Sequence, residues 1–158
     1  MLTRIDHVGI ACRDLEETIA FYSAAFGLTV ACRETNEEQG VREAMLHLPG
    51  TGLPGTGQGA EGAGRGTGVL MGASYIQLLE PARPDSPVGK FLARRGEGIH
   101  HVGYGVTDIT SALTAIGSRG IRLIDERPRH GSMGASIAFL HPADVGGVLT
   151  ELVQAPRP

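Results

Sequence analysis

The chain is an internal duplication, and that restricts its fold more than any single motif does. IDHVGIACRDLEETIAFY (5–22) aligns with IHHVGYGVTDITSALTAI (99–116) at an offset of 94. Ile5, His7, Val8, Gly9 and Asp14 thereby fall on Ile99, His101, Val102, Gly103 and Asp108. SYIQLLEP (74–81) and VLTELVQA (148–155) align at an offset of 74, which sets Gln77 over Glu151. A unit that repeats at both ends is expected to fold the same way twice. The two offsets differ by 20 residues, matching an insertion in PGTGLPGTGQGAEGAGRGTGVLMG (49–72), which holds ten of the 24 glycines. Such a stretch buries too little apolar surface to offset its ordering entropy, so it reads as a mobile loop. It lacks the G-K-[ST] ending and the following helix start of a phosphate cradle.

Each copy opens with a short apolar strand running into an aspartate suited to cap a helix. Glu17, three residues after Asp14, strengthens the first cap. Leu15, Ile19, Tyr22 and Phe26 form one apolar helical stripe that Gly27 is placed to end. The second helix carries Ile109, Ala112, Leu113 and Ile116 on its inner face and ends near Gly120. Three strand-like runs follow each helix: 28–36, 41–48 and 73–80, then 121–128, 134–141 and 147–154. Between the copies, Ser86 is placed to cap a short helix opened by Pro87 and closed by Gly96, with Val88, Phe91 and Leu92 as its apolar face. The expected fold is α+β, two tandem βαβββ modules. Residues 1–84 form the first module, with the Gly-rich loop 49–72; residues 85–98 form a linker helix; residues 99–158 form the second module.

The net charge of −3 offers no basic field for nucleic acid or anionic lipid. Seven Phe and Tyr and no Trp argue against a platform for stacking bases. No apolar run approaches the roughly 20 residues that span a bilayer. The opening MLTRIDHVGIACRDLEET meets charges too early for a secretory signal. Cys12 and Cys32 show no metal-ligand spacing and read as reduced, partly buried residues. The expectation is a cytoplasmic protein with neither nucleic acid nor membrane as partner.

Strand alternation sorts the polar residues into faces. His7, Gly9 and Ala11 share one face of the first strand, and Val8 and Ile10 the other. The repeat places His101 with His7 and leaves His100 on the opposite face, in register with Asp6. Two histidines from first strands and Gln77 and Glu151 from last strands make a quasi-symmetric set of four. Imidazole, amide and carboxylate donors together suit a divalent transition metal, with positions left for substrate oxygens. The competing reading is hydrogen-bonded structural histidines preserved as fossils of the duplication. Against it, an unpaired polar group at an inward strand position costs a few kcal/mol. Glu43, Met45 and His47 share a face opposed by Ala44, Leu46 and Leu48, so Glu43 is either a cavity-facing general base or a plain strand-end carboxylate. His47 and His141 suit structural roles, and Glu37 and Glu38 suit a solvated loop. The turn Gly131-Ser132-Met133-Gly134 either offers backbone N–H groups to an anion or is a simple turn. Lys90, Arg94 and Arg95 either meet phosphates or, the reading favoured here, form a solvated helix face.

IDHVGIA, NEEQGVREAML, SYIQLLEP, GEGIHHVGYGV, PRHGSMG and FLHPADVGGVLTEL, in this order, resemble the methylmalonyl-CoA epimerase family. That family belongs to the vicinal oxygen chelate superfamily of glyoxalase/bleomycin-resistance-like paired modules forming a metal-holding cleft. The resemblance spans the chain except for the Gly-rich loop, which is longer than the family leads one to expect. It implies His7, Gln77, His101 and Glu151 as ligands of a divalent ion, commonly cobalt, with manganese, nickel and zinc as other candidates. It implies Glu43 as catalytic base on one face of an acyl-CoA substrate, Glu151 as the second acid/base group, and a homodimer. The implied reaction removes the C2 proton of methylmalonyl-CoA and returns it on the other face, through a metal-stabilised enolate. The alternatives are a glyoxalase-type lyase or isomerase, which typically has a carboxylate where this chain has Gln77, and a metal-free small-molecule-binding protein on the same fold.

Overall fold

A computed structural model describes residues 1–48 and 73–156. The Gly-rich segment 49–72, read above as a mobile loop, lies outside the described residues.

Eight strands form one mixed sheet. In chain order they are β1 (Leu2–Ala11), β2 (Thr29–Asn36), β3 (Val41–His47), β4 (Tyr75–Pro81), β5 (Gly98–Val106), β6 (Arg129–His130), β7 (Ser136–Leu140) and β8 (Thr150–Gln154). They lie side by side as β2-β3-β4-β1-β5-β8-β7-β6. The first strand of each module runs parallel to that module's last strand, β1 to β4 and β5 to β8, and the modules join through the antiparallel pair β1–β5. The sheet curls so far that its two ends meet. The Met133 N–H donates to the Glu34 carboxylate on β2 at 3.2 Å, and Arg129 on β6 pairs with Glu38 at 3.5 Å.

The first and third of three helices cover the convex face, and the second packs on the end of the concave one. α1 (Leu15–Phe26) begins at Asp14, whose side chain accepts from the Glu17 N–H, and ends at Gly27 in the left-handed region at φ 69°. α2 (Pro87–Arg95) starts at the Ser86 cap and stops at Gly96. α3 (Ile109–Gly117) starts at Asp108 and is capped by Ser118, a little before the glycine expected to end it. Leu15 and Ile19 of α1 pack on Ala44, Leu46 and Leu78; Ile109, Ala112, Leu113 and Ile116 of α3 pack on Ala138, Leu140 and Leu152. Val88 and Leu92 of α2 pack against Ala11, Val41 and Leu79 of the first module, on the face that also carries Glu43 and Gln77. With one set of apolar side chains turned to α1 and α3, strand alternation sends the polar set to the concave face. No helix among the described residues is long and apolar enough to cross a membrane.

Two local expectations change. Phe26 is not in the core but 60% exposed, in ring contact with Phe21 and Tyr22. The run 121–128 is not a continuous strand; it meets β7 at the isolated bridge Leu123–Leu140, where the Ile124 and Asp125 N–H groups both donate to the Phe139 carbonyl. Side-chain chemistry explains this. The Asp125 carboxylate takes the Phe139 N–H at 2.9 Å and pairs with Arg129, replacing the ladder bond a strand would make, and Pro128 brings no N–H of its own.

Leu78 is fully buried and Ser86 is 1% exposed. We expect Leu78→Ala to cost about 2–5 kcal/mol and Ser86→Ala about 1 kcal/mol in denaturant unfolding. Equal midpoints for the two variants would contradict this core.

Candidate active site

The register of five strands builds the site. Gly9 of β1 pairs with Gln77 on one side and His101 on the other; Gly103 of β5 pairs with His7 and Glu151. His7, His101 and Glu151 therefore meet around the β1–β5 seam, all at most 4% exposed. The His7 Nε2 lies 2.9 Å from the His101 Nε2 and 2.9 Å from a Glu151 carboxylate oxygen, which is 3.6 Å from the His101 Nε2. The glycines make this approach possible. A Cβ on Gly9 would stand 2.3 Å from the His101 ring, and one on Gly103 2.4 Å from the His7 ring.

Gln77 and Glu43 form the other half. The Gln77 Nε2 donates to Glu43 at 2.8 Å and reaches the Ser132 hydroxyl oxygen at 3.1 Å, while that hydroxyl donates to Glu43 at 2.5 Å. This leaves the Gln77 Oε1 buried with no hydrogen-bond partner among the described residues, an arrangement that costs about 1–3 kcal/mol unless something binds there. Glu43, Gln77, His7, His101 and Glu151 all line one cavity of about 540 Å³, a size suited to a small-molecule site. Met45, Tyr75, Ala135, Ile137 and Val153 supply much of its apolar wall.

Titration follows from these neighbours. Burial opposes a charge on His7, but Asp6 and Glu151 on either side outweigh it and hold its pKa up at about 9. Burial drives His101 well below the ordinary imidazole value, with His7 and His100 adding to it, and lowers His100 to about 4. Burial raises Glu43; the Ser132 hydrogen bond works against that, and the Glu34 and Glu151 carboxylates add to it.

The donor set fits a divalent ion. Two imidazole nitrogens and a carboxylate oxygen converge, and the amide oxygen beside them lacks a partner. The remaining polar residues singled out from sequence lie elsewhere. His47 packs against the Tyr75 ring at 6.0 Å, and His141 caps the turn Pro142–Asp144.

Three residues reach the site from places the sequence reading did not give them, although hydrogen bonding and packing suit His100 as expected. The Asp6 carboxylate accepts from the His7 Nδ1–H at 3.1 Å and is gripped by Arg4. The Nδ1 of His100 lies 3.0 Å from that of His101, and its ring packs on Phe91 of α2. Asp6 and His100 were expected on the face away from the imidazoles. Both stand at register shifts of the β1–β5 ladder, between Ile5 and His7 and between Ile99 and His101, and a bulge re-aims its side chain. The third is Ser132, whose hydroxyl and not its backbone engages the site; its partner is 89 positions away in sequence.

Fold and site define a member of the Glyoxalase/Bleomycin resistance protein/Dioxygenase superfamily, whose family model matches residues 4–152. The chain is similar to a variant of the Streptomyces coelicolor methylmalonyl-CoA epimerase solved in complex with 2-nitronate-propionyl-CoA, at 48% identity and TM-score 0.85, over 99% of this chain and 100% of that one. It is similar to a methylmalonyl-CoA epimerase solved in complex with methylmalonyl-CoA and NH4+, at 48% and 0.82, over 98% and 96% of the two chains. The ethylmalonyl-CoA/methylmalonyl-CoA epimerase of Cereibacter sphaeroides is 32% identical over 156 residues, 98% of this chain and 99% of that one. Within the superfamily, the chain belongs to the methylmalonyl-CoA epimerase family.

Gly9→Ala and Gly103→Ala each force an imidazole out of line. Each is expected to destabilise the fold by about 1–3 kcal/mol, read as a lowered thermal midpoint. An unchanged midpoint for both would contradict the packing of ring against glycine.

Proposed function

We propose that the protein epimerises C2 of methylmalonyl-CoA by metal-dependent proton transfer. The observation that carries this is one apolar-walled cavity holding a convergent His7–His101–Glu151 set, the unpaired Gln77 oxygen, and a buried carboxylate, Glu43, beside them. Modules 1–84 and 99–158, joined by 85–98, each contribute half of that cavity, and the family resemblance adds a cytosolic homodimer.

His7, Gln77, His101 and Glu151 are the residues to hold the ion, with cobalt the metal the family resemblance favours. Bound there, a divalent cation supplies Lewis-acid charge to the thioester and carboxylate oxygens of the substrate. Glu43 acts on the C2 proton. Ser132 and Gln77 donate to its two oxygens and fix the carboxylate in place, while burial makes it a stronger base than one in water. The proton moves from C2 to a Glu43 oxygen. Return of a proton to the opposite face inverts the centre, and Glu151 is the carboxylate for that face. Asp6 takes the His7 Nδ1–H and so leaves the Nε2 lone pair for the ion, the usual orienting arrangement behind a metal-bound imidazole.

Loss of the C2 proton of methylmalonyl-CoA in deuterated water, followed by NMR, tests the reading. Exchange should be fast with cobalt and abolished by chelation. Glu43→Ala should slow it at least about 100-fold if general-base catalysis carries ~10²–10⁴; unaltered exchange would remove Glu43 from the role. By cobalt titration, Asp6→Asn should weaken metal binding about 10–100-fold, and His101→Ala should abolish it. Unchanged affinity in both variants would remove the metal from the site.

A further inference from the structure

The two modules are not equivalent at the flanks of the site. Met45 of β3 pairs with Gln77, and Phe139 of β7 pairs with Glu151, its repeat counterpart. Two residues along, Glu43 pairs with Leu79 and Ile137 pairs with Val153. Because the repeat sets Leu79 on Val153, Ile137 occupies in the second module the place Glu43 holds in the first. One side of a quasi-symmetric ligand set thus carries a carboxylate and the other a sec-butyl group. Ile137 is 3% exposed and lines the cavity together with Ala135 and Val153, both buried. Its position is held from above, because a Cβ on Gly131 would stand 2.4 Å from the Ile137 Cγ2.

We propose that Ile137, with Ala135 and Val153, seats the C2 alkyl group and sets how large that group can be. The inference rests on the 2-alkylmalonyl thioester reading above. The reacting carbon of such a substrate bears four groups: a thioester carbonyl, a carboxylate, a hydrogen and an alkyl chain. The two oxygen-bearing groups belong with His7, His101, Gln77 and Glu151, and the hydrogen with Glu43. The alkyl group, which lies in the enolate plane between the two proton-transfer faces, is left for the apolar wall of Ala135, Ile137 and Val153, where leaving a polar group unpaired would be costly. Ile137 is the largest side chain of the three, so its branch gauges the length of the chain.

The test compares kcat/KM for ethylmalonyl-CoA and methylmalonyl-CoA on the same preparation, so that metal loading cancels from the ratio. Removing side-chain carbon at 137 makes room for a methylene. Ile137→Ala should therefore raise the ethyl-to-methyl ratio by about tenfold or more, within the range one methylene commands in an apolar pocket. Ile137→Val, a milder change that keeps the core filled, should raise it less and in the same direction. If Ile137→Ala fails to fold, Ile137→Val decides. A wild-type enzyme that epimerises methylmalonyl-CoA, with ratios in the variants within about twofold of its own, overturns the seat and leaves the reaction standing. A wild-type protein with no exchange at C2 overturns the reaction and the seat with it.

Discussion

The pairing of β1 with β5 is the constraint on which the rest of this structure depends. In that ladder each histidine faces a glycine, His7 with Gly103 and His101 with Gly9, so each imidazole occupies the space a side chain on the opposite strand would need. Only with both glycines in place do the two Nε2 atoms come within 2.9 Å. Because the last strand of each module runs parallel beside its first, the same two glycines also set Gln77 and Glu151 next to the rings. Seen this way the repeated H-V-G is a device for crossing two imidazoles over a seam. The duplication supplies it in both strands, and antiparallel pairing makes each copy complete the other.

The frame is symmetric where donor atoms gather and asymmetric in what surrounds them. Gln77 and Glu151 hold equivalent positions, yet a carboxylate in place of Gln77 would fail in two ways. It has no N–H to give Glu43, and it would set a negative charge against that buried carboxylate. The amide instead turns its nitrogen to Glu43 and keeps its oxygen free. The residues behind the histidines diverge as well: Asp6 gives His7 an anionic partner, while His101 has an imidazole. A carboxylate makes its histidine the more basic donor, so two ligands of one residue type become electronically distinct.

Much of this was legible in the sequence because local chemistry and repeat symmetry agreed. Asp14, Ser86 and Asp108 cap the helices their positions announced, and Gly27 and Gly96 end theirs. Alternation along β3 put Glu43 and Met45 on the cavity side and Ala44 and Leu46 under α1. What escaped has physical reasons. A β-bulge inserts one residue with no compositional mark, so parity counting sent Asp6 and His100 to the wrong face. The run 121–128 alternates like a strand, but one aspartate side chain takes the backbone amide the ladder needed. The Ser132 hydroxyl reaches across the curl of the sheet to the other module, and periodicity within a segment carries no information on such a meeting.

That last contact shows why neither module makes the site by itself. The turn Gly131–Gly134 belongs to the second module, yet the first module holds it. Met133 adopts φ 56°, a left-handed conformation uncommon for a residue with a side chain, and donates its N–H to Glu34 on β2. One residue earlier, Ser132 orients the Glu43 carboxylate; one earlier still, Gly131 lies over Ile137. A single backbone segment therefore fixes the polar flank supplied by one module and the apolar flank supplied by the other. Were the sheet to uncurl, Glu43 would lose its hydroxyl donor as Ile137 lost its cover. The closed curl thus couples the acid/base group to the alkyl wall, and both flanks take their working positions together.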